Sequence, residues 1–220
     1  MQVNENVINK VMQNLEANNM KPYYCKTADE AKTLVMSLIK NGAVVTNGGS
    51  VTLKEIGVMD AVKEREDITY LDRSKEGLTV EDIKGIYRKA FFADVYLMST
   101  NALTLNGELY NVDGNSNRVA ALLYGPESVI VVCGVNKIVE NLDEAVKRLK
   151  TIAAPKNTVR LHTGSYCENA GECVSLKSDG SFMCDGCKGA GRICCNYVVS
   201  AQQRLKDRIK VIIVDETLGY

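Results

Sequence analysis

The sequence predicts an α/β protein, with a mostly parallel sheet, helices packed against that sheet and a cysteine-rich segment near the C-terminus. Short apolar runs recur along the chain, and such runs are typical of strands buried in a parallel sheet. Helical patterns alternate with these runs, which favours parallel pairing through helical crossovers. Six of the eight cysteines follow residue 160. We therefore expect one domain over residues 1–220, with a Cys-rich segment at 160–195 inside it.

The N-terminal elements alternate helix and strand. Apolar side chains at helical spacing predict an amphipathic helix over residues 4–18. A short strand is predicted at 21–25. Thr27 and Glu30 then form a capping-box signature, which opens a second helix. Residues 43–46 are the next buried strand, so the order at this point favours a parallel sheet.

The alternation continues through the rest of the chain. Helices are predicted at 58–66, 79–92, 118–124 and 143–153, and strands at 68–71, 94–98, 128–133, 196–200 and 209–214. Asn106-Gly107 favours a tight hairpin turn. Gly125-Pro126 is expected to close the helix at 118–124. Pro155 is expected to end the helix before it, because the residue preceding a proline disfavours helical backbone.

The turn Gly48-Gly49-Ser50 leaves a predicted strand and precedes a helix that starts at Ser50 or Thr52. Backbone amides and the positive end of that helix would point to one place near the C-terminal edge of the sheet, which suits an anion. The spacing is neither that of the dinucleotide fingerprint nor that of a phosphate-binding P-loop. An ordinary strand-to-helix turn with an N-cap is the alternative.

A second polar loop follows the strand at 94–98, and the same edge rule brings the two loops together. Asn and Asp in loops often bond only their own backbone. Several such residues beside an Arg and a Lys nevertheless indicate a pocket for a small anion. The candidate ligand-binding residues of this loop and of the turn after the next strand are Asn111, Asp113, Asn115, Asn117, Arg118, Asn136 and Lys137.

Composition excludes some classes of partner. Lys plus Arg equals Asp plus Glu at 27 each, so no overall field favours nucleic acid or an anionic membrane. The first ten residues do not have the pattern of a signal peptide, and no apolar run is long enough to span a bilayer. We expect a cytoplasmic protein. In that reducing compartment, eight cysteines favour metal ligands or reactive thiols over disulfides.

The Cys-rich segment contains six candidate metal ligands on short spacings, and thiolates so arranged can converge on one soft ion or cluster. They are Cys167, Cys173, Cys184, Cys187, Cys194 and Cys195. Zinc and an iron–sulfur cluster would each use four, and free or oxidised thiols in a flexible loop are the alternative. His162 is expected at the surface. Cys25 and Cys133 are expected in the core.

An ordered series of short motifs resembles the LUD-domain (lactate-utilization) family over nearly the whole chain. They are Asn47-Gly-Gly-Ser50, Glu55-Ile-Gly57, Ala93-Asp94, Asn101-Ala102, Gly107-Glu-Leu109, Asn111-Val-Asp-Gly114, Asn117-Arg-Val-Ala120, Gly125-Pro126, Asn136-Lys-Ile-Val139 and Arg192-Ile-Cys194. The family's usual cysteine run is compact, whereas here ten residues separate Cys173 from Cys184. Which four thiols act together is therefore open.

The resemblance implies a Rossmann-like sheet with helices on both faces, as in the ribose-5-phosphate isomerase and CoA-transferase superfamily. It also implies a link to the oxidation of lactate to pyruvate beside iron–sulfur partner subunits. Gly48, Gly49 and Ser50 would correspond to the superfamily's ligand-binding turn, and Asn117 and Arg118 to the family's pocket loop. The expected partners are thus a small anionic metabolite and iron–sulfur subunits, without nucleic acid or a membrane span, and a homo-oligomer is left open. The rivals are an autonomous isomerase-like or CoA-transferase-like enzyme and a binding module stapled by a metal.

Overall fold

The computed structural model describes residues 3–177 and 182–220. The predicted Cys-rich segment at 160–195 is therefore described except for 178–181, and residues 1 and 2 of the predicted domain also lie outside the described residues. In chain order the elements are α1 (Glu5–Ala17), β1 (Lys21–Cys25), α2 (Ala28–Leu38), β2 (Val44–Asn47), α3 (Val51–Glu55), α4 (Val58–Lys63), β3 (Thr69–Tyr70), α5 (Val80–Lys89), β4 (Val95–Met98), β5 (Ala102–Thr104), β6 (Leu109–Asp113), α6 (Asn117–Leu123), β7 (Ser128–Gly134), β8 (Ile138–Val139), α7 (Leu142–Arg148), α8 (Ala154–Leu161), α9 (Tyr166–Ala170), β9 (Asn196–Ser200) and β10 (Ile209–Val214).

The main sheet has six strands in the order β1-β10-β7-β4-β2-β3. Every neighbouring pair in this sheet is parallel, which confirms the predicted fold class. The central strands β10 and β7 are apolar apart from Lys210 and Ser128 near their starts, because both of their faces are covered by other elements. The carboxyl ends of β2, β4 and β7 consequently meet at one edge of the sheet.

Alternate residues of β7 belong to two different cores. Val129, Val131 and Cys133 pack in a cluster with α1, whereas Ile130 and Val132 pack in a cluster with α2, α3 and α4. This alternation follows from the two-residue period of a strand. Cys133 is a core residue, as predicted, and burial raises the pKa of its thiol to about 11.

A second sheet of four strands, in the order β8-β5-β6-β9, lies beyond the carboxyl edge of β4. Its strands β5 and β6 form the predicted antiparallel hairpin around Gly107. Ala102 and Tyr110 of this hairpin form a third core with Ala145, Leu149 and Ala153. This core attaches the small sheet to the helical region that follows β8.

The prediction that Pro155 ends a helix is wrong. Helix α7 continues through a π-helical stretch at Leu149–Ala153 directly into α8, so that Pro155 lies in the first turn of α8. Proline lacks a backbone N–H and disturbs a regular helix, but the first turn of a helix needs no such donor. The π-helical stretch changes the hydrogen-bond register just before the proline, and the chain can therefore remain helical through it.

Most other predicted elements agree with the structure to within two residues, and the strands at 196–200 and 209–214 agree at both ends. The helix predicted at 58–66 is shorter and ends at Lys63. His162 is exposed at the end of α8, as expected. No helix within residues 3–177 and 182–220 combines the length and the apolar character needed to cross a bilayer. The single-domain organisation stays a prediction.

Gly107→Ala is expected to destabilise the protein far more than Gly42→Ala. Both glycines have a left-handed φ, of +79° and +80°, which costs about 1–2 kcal/mol for alanine. A Cβ at Gly107 would also lie 2.8 Å from the backbone nitrogen of Leu15 in α1, whereas a Cβ at Gly42 meets no atom within 4 Å. We expect an additional loss of about 1–3 kcal/mol at Gly107 from overpacking, measured by urea denaturation. Equal losses of unfolding free energy in the two variants would show that α1 moves away from the new Cβ at residue 107 without cost.

Candidate functional site

A cavity of about 710 Å³ opens where the main sheet meets the second sheet. Its floor is built from the segments that leave β2, β4 and β7, because the carboxyl ends of these parallel strands meet there. Gly49 and Ser50 follow β2, Ser99 follows β4, and Lys137 lies in the short 3₁₀ helix after β7. The α7–α8 helical region and the segment 190–195 complete the walls. The volume falls in the range of small-molecule sites.

Lys137 lies at the floor of the cavity and is only 2% exposed. Its Nζ donates hydrogen bonds to Thr52 Oγ1 and Ser99 Oγ, both at 2.9 Å. Among residues 3–177 and 182–220, no carboxylate oxygen lies within 4.0 Å of this ammonium group. The described chain thus holds a buried cation with neutral partners only.

Burial lowers the pKa of Lys137 to about 8. Burial is the largest cause, because it removes water from the charged form. The positive charges of Arg148 and Arg118 act in the same direction, whereas Cys133 and Glu55 act in the opposite direction. An anion bound beside Lys137 would restore the missing counter-charge.

Arg118 also lines the cavity, but its guanidinium is occupied by the protein itself. Nε donates to Asp113, and the two terminal nitrogens donate to the side chains of Asn111 and Asn101 and to the carbonyl oxygens of Ser99 and Val112. These five bonds use all five donors of an arginine. Arg118 therefore fastens the loop after β4 to strand β6 and adds positive charge to the wall.

Asp113 stabilises the same cavity wall by accepting hydrogen bonds at the start of α6. Its Oδ2 accepts hydrogen bonds from the backbone nitrogens of Arg118 at 2.9 Å and Val119 at 3.2 Å. Asp113 thereby caps the start of α6, where the side chain of Ser116 makes no capping bond. The carboxylate can fill this role because the turn brings it back over the start of the helix.

The cavity wall is strongly basic. Among the described residues, five cationic side chains line it against one carboxylate side chain, that of Asp113, which gives a formal side-chain excess of four positive charges. The five are Arg73, Arg118, Lys137, Arg160 and Arg192. Arg73 lies over the ring of Tyr87, with 5.4 Å from Cζ to the ring centroid. A basic, partly enclosed cavity concentrates anions.

Seven of the ten predicted ligand-binding residues line this cavity. They are Gly49, Ser50, Asp113, Asn115, Asn117, Arg118 and Lys137. The other three lie in the structure behind it. Gly48 is buried beneath the Arg118 side chain, and Asn111 is buried with its Oδ1 on that guanidinium. Asn136 bonds the backbone of Leu218 and so holds the last residues of the chain in place.

Several cavity residues were missed by the sequence reasoning. Thr52 and Ser99, the partners of Lys137, could have been identified, since each is a polar residue in the segment that follows a buried strand: Ser99 directly after β4, and Thr52 at the start of α3 after β2. Arg73 and Tyr87 gave no such signal, because they lie in charged, exposed-looking stretches. Arg73 reaches Gly49 because it follows β3, which pairs with β2, and Tyr87 lies against the Arg73 guanidinium.

Four of the six candidate metal ligands line a second, much smaller cavity of about 20 Å³. Cys167 and Cys173 come from α9 and the turn after it, and Cys187 and Cys194 come from the loop before β9. Cys184 and Cys195 do not line it and are exposed. All eight cysteines are free, and the side chains of this group lie near one another: Cys194 interacts electrostatically with Cys167, Cys173 and Cys187.

Arg192 and Lys150 fix the backbone around the cysteines. The Arg192 guanidinium donates to the carbonyl oxygens of Cys184, Cys187 and Cys194, at 2.7 to 2.9 Å. Lys150, in the π-helical stretch, donates from Nζ to the carbonyl oxygen of Phe182, while its own carbonyl accepts from the nitrogen of Cys173. The thiols thus sit on a backbone that side chains hold in place. Within the described part of the chain, which includes all six candidate cysteines, no group of three or more Cys, His, Asp or Glu side chains is arranged to hold a metal ion. A metal site at these cysteines therefore stays a prediction.

The fold and the cavity define the class of protein: an α/β protein with a basic cavity at the carboxyl edge of a parallel sheet. The model of the LUD domain family matches residues 8–214. The chain belongs to the LUD domain family, as its motifs predicted. This membership associates the protein with lactate utilization in general.

Among solved structures, a DUF162 family protein from Deinococcus radiodurans is similar along its whole length. The identity is 11% and the TM-score 0.52, and the match covers 98% of this chain and 100% of that one. A ribose 5-phosphate isomerase from Plasmodium falciparum is 16% identical, with a TM-score of 0.33 and 52% of each chain covered. The likeness to the DUF162 protein shows the fold. A comparison with curated proteins gave no match.

Proposed function

We propose that this protein binds a small carboxylate metabolite, a hydroxy acid or keto acid such as lactate or pyruvate, in the basic cavity. We further propose that it acts in the oxidation of lactate to pyruvate beside iron–sulfur partner subunits, which accept the electrons released. The LUD family supports the pathway, and the cavity supports the chemical class of the ligand.

The observation that carries the proposal is Lys137. A buried ammonium without an ionic partner costs folding free energy, which a protein without a use for the charge would avoid. The cost is offset when a carboxylate binds, because charge-assisted hydrogen bonds are stronger than neutral ones, especially away from water. The hydroxyls of Thr52 and Ser99 hold the ammonium in place for such a ligand.

The carboxylates near the site have structural roles, which favours a binding subunit over an autonomous enzyme. Asp113 caps α6 and pairs with Arg118. Glu55 accepts a hydrogen bond from the backbone nitrogen of Gly219 at 2.6 Å. Glu108 lies in the hairpin turn, bonds Thr104, and does not line the cavity. None of the three is held as a free general base facing the ligand.

Isothermal titration calorimetry of the full chain tests this proposal. Lactate and pyruvate are expected to bind, and lactamide, which has the same shape without the charge, is expected to bind at least about tenfold more weakly, since a hydrogen bond to a charged group contributes about 1.5–3 kcal/mol. Acetate and inorganic phosphate serve as controls for non-specific anion attraction. Equal binding of lactate and lactamide, or binding of phosphate alone, would contradict the proposal.

A further inference from the structure

We infer that the Lys137 amine binds a small keto acid covalently, as a reversible imine formed with its carbonyl carbon. Lactate has a hydroxyl group in place of that carbonyl and cannot form this bond. The inference rests on the proposed function, because it takes the ligand of the basic cavity to be a small keto acid, with pyruvate as the simplest case. It adds a covalent step that binding by charge does not require.

The position of the Lys137 nitrogen is the first observation. The side chain is 2% exposed, yet it lines the cavity of about 710 Å³, so a small molecule reaches the nitrogen by entering the cavity. An exposed lysine is strongly hydrated, whereas a lysine removed from bulk water is a better nucleophile and can form Schiff bases with carbonyl compounds. Lys137 therefore has the surroundings of a nucleophilic lysine.

The hydrogen bonds of this nitrogen leave one bonding direction open. Nζ has four tetrahedral positions, of which Cε occupies one and the hydrogen bonds to Thr52 Oγ1 and Ser99 Oγ occupy two. Lys137 makes no other hydrogen bond or ion pair within residues 3–177 and 182–220. The fourth position carries a proton in the ammonium and the lone pair in the amine, and the lone pair attacks a carbonyl carbon. The two hydroxyls thus orient the nucleophile.

The neutral amine is populated near neutral pH. Burial lowers the pKa of Lys137 to about 8, and the positive charges of Arg148 and Arg118 act in the same direction. At pH 7 about one molecule in ten then carries the amine, whereas an ordinary lysine holds its proton almost completely. The geometry of the nitrogen and its ionisation therefore favour the same chemistry.

The reaction is a condensation without any change of oxidation state. The ammonium first gives up one proton, and the nitrogen lone pair then forms a bond to the carbonyl carbon while a second proton moves from nitrogen to oxygen. The resulting carbinolamine takes back the first proton on its hydroxyl group, the carbon–oxygen bond breaks, and water leaves as the carbon–nitrogen double bond forms. The hydroxyls of Thr52 and Ser99, both 2.9 Å from Nζ, are placed to carry these protons.

The product keeps the charge balance of the site. A protonated imine carries the same single positive charge as the ammonium, and this charge lies next to the carboxylate of the keto acid. The basic wall favours that carboxylate through Arg73, Arg118, Arg160 and Arg192. The covalent complex with pyruvate therefore satisfies the same electrostatic requirement as the ionic complex with lactate.

Reductive trapping of the full chain tests the inference. The protein is incubated with pyruvate and sodium cyanoborohydride, which reduces the imine irreversibly to a secondary amine. Intact mass spectrometry is expected to show a single adduct with the mass of pyruvic acid less one oxygen atom, and peptide mapping is expected to place it at Lys137. Lactate with the same reductant is expected to give no adduct, and excess lactate is expected to suppress trapping by competing for the cavity.

Two lysine variants and acetone provide the controls. Lys137→Met is expected to lose the adduct, whereas Lys147→Met, which alters an exposed lysine, is expected to keep it in full. Acetone, which has the carbonyl group without the carboxylate, is expected to give far less adduct. Peptide mapping of the parent locates the adduct directly, so the inference is tested even where Lys137→Met is unstable.

The outcomes separate this inference from the proposed function. An adduct spread over exposed lysines would overturn the inference. No adduct at Lys137 while lactate and pyruvate both bind in calorimetry would also overturn it and would leave the proposed function standing. Absence of binding of both acids would overturn the two together.

Discussion

Lys137→Met is expected to abolish carboxylate binding and yet leave the ligand-free protein at least as stable as the parent. Loss of the ammonium removes the charge that faces the ligand, and removal of one partner of a buried charge pair typically costs about 2–5 kcal/mol of binding free energy. We therefore expect at least about a 30-fold loss of affinity for lactate or pyruvate in calorimetry. Methionine fills a similar volume without a buried charge, so the free energy of unfolding should not fall.

Lys147→Met is the matched control for this variant. Lys147 lies on the exposed side of α7 and pairs with Glu144 across one helical turn, with a side chain 65% exposed. Its substitution is expected to change neither affinity nor stability measurably. A Lys137 variant that binds lactate like the parent would remove the basis of the anion site. A variant that is markedly less stable would assign Lys137 a structural role.

In the parent protein, the pH dependence of ligand affinity and of stability is expected to reflect the ionisation of Lys137. The pKa of Lys137 is lowered from 10.5 to about 8 in the folded, ligand-free chain. Below pH 8 the ammonium is charged and binds the anion, and above that pH the affinity is expected to fall by up to tenfold per pH unit. The unfolded state holds more protons on this lysine between pH 8 and 10.5, so the Lys137 contribution to stability rises with pH in that window. Both trends should be absent from Lys137→Met.

Arg118→Met is expected to cost about 3–5 kcal/mol of unfolding free energy, which is enough to unfold a marginal domain. The substitution leaves five buried or half-buried acceptors without their donors, including the carbonyl oxygens of Ser99 and Val112. It also leaves the Asp113 carboxylate without its cation. Urea denaturation followed by circular dichroism measures the effect.

Arg160→Met provides the comparison for Arg118. Arg160 lines the same cavity but is exposed, and its hydrogen bonds within the described part of the chain go to Asn157 and Tyr220 only. Its loss is expected to cost less than about 1 kcal/mol. If the two arginine variants were equally stable, the five hydrogen bonds of Arg118 would not fasten the loop after β4 to strand β6 as described.

The sequence predicted the place of the site better than the role of each residue in it. Continuous apolar runs mark buried parallel strands, and the carboxyl ends of such strands share an edge, so the convergence of the loops after β2 and β4 could be anticipated. The use of all five Arg118 donors could not be anticipated, because two of the acceptors lie in the loop after β4 and reach Arg118 only through the tertiary fold. The burial of Lys137 likewise depends on tertiary packing, since a lysine in a polar turn normally reaches water.

Pro155 and the cysteines also show that local sequence patterns do not predict features that depend on the tertiary fold. A proline rule based on regular α-helix fails where a π-helical stretch alters the register, and nothing local in the sequence announces that stretch. Spacing alone left six cysteines open as ligands. The tertiary fold decides which of them share a cavity: Cys167, Cys173, Cys187 and Cys194 line one small cavity, whereas Cys184 and Cys195 are exposed.

Leu149, Ala154, Arg192, Ile193 and Cys194 line both the large basic cavity and the small cysteine cavity. The two cavities therefore share part of their walls, so a change in side-chain conformation at these five residues would alter the shape of both cavities at once.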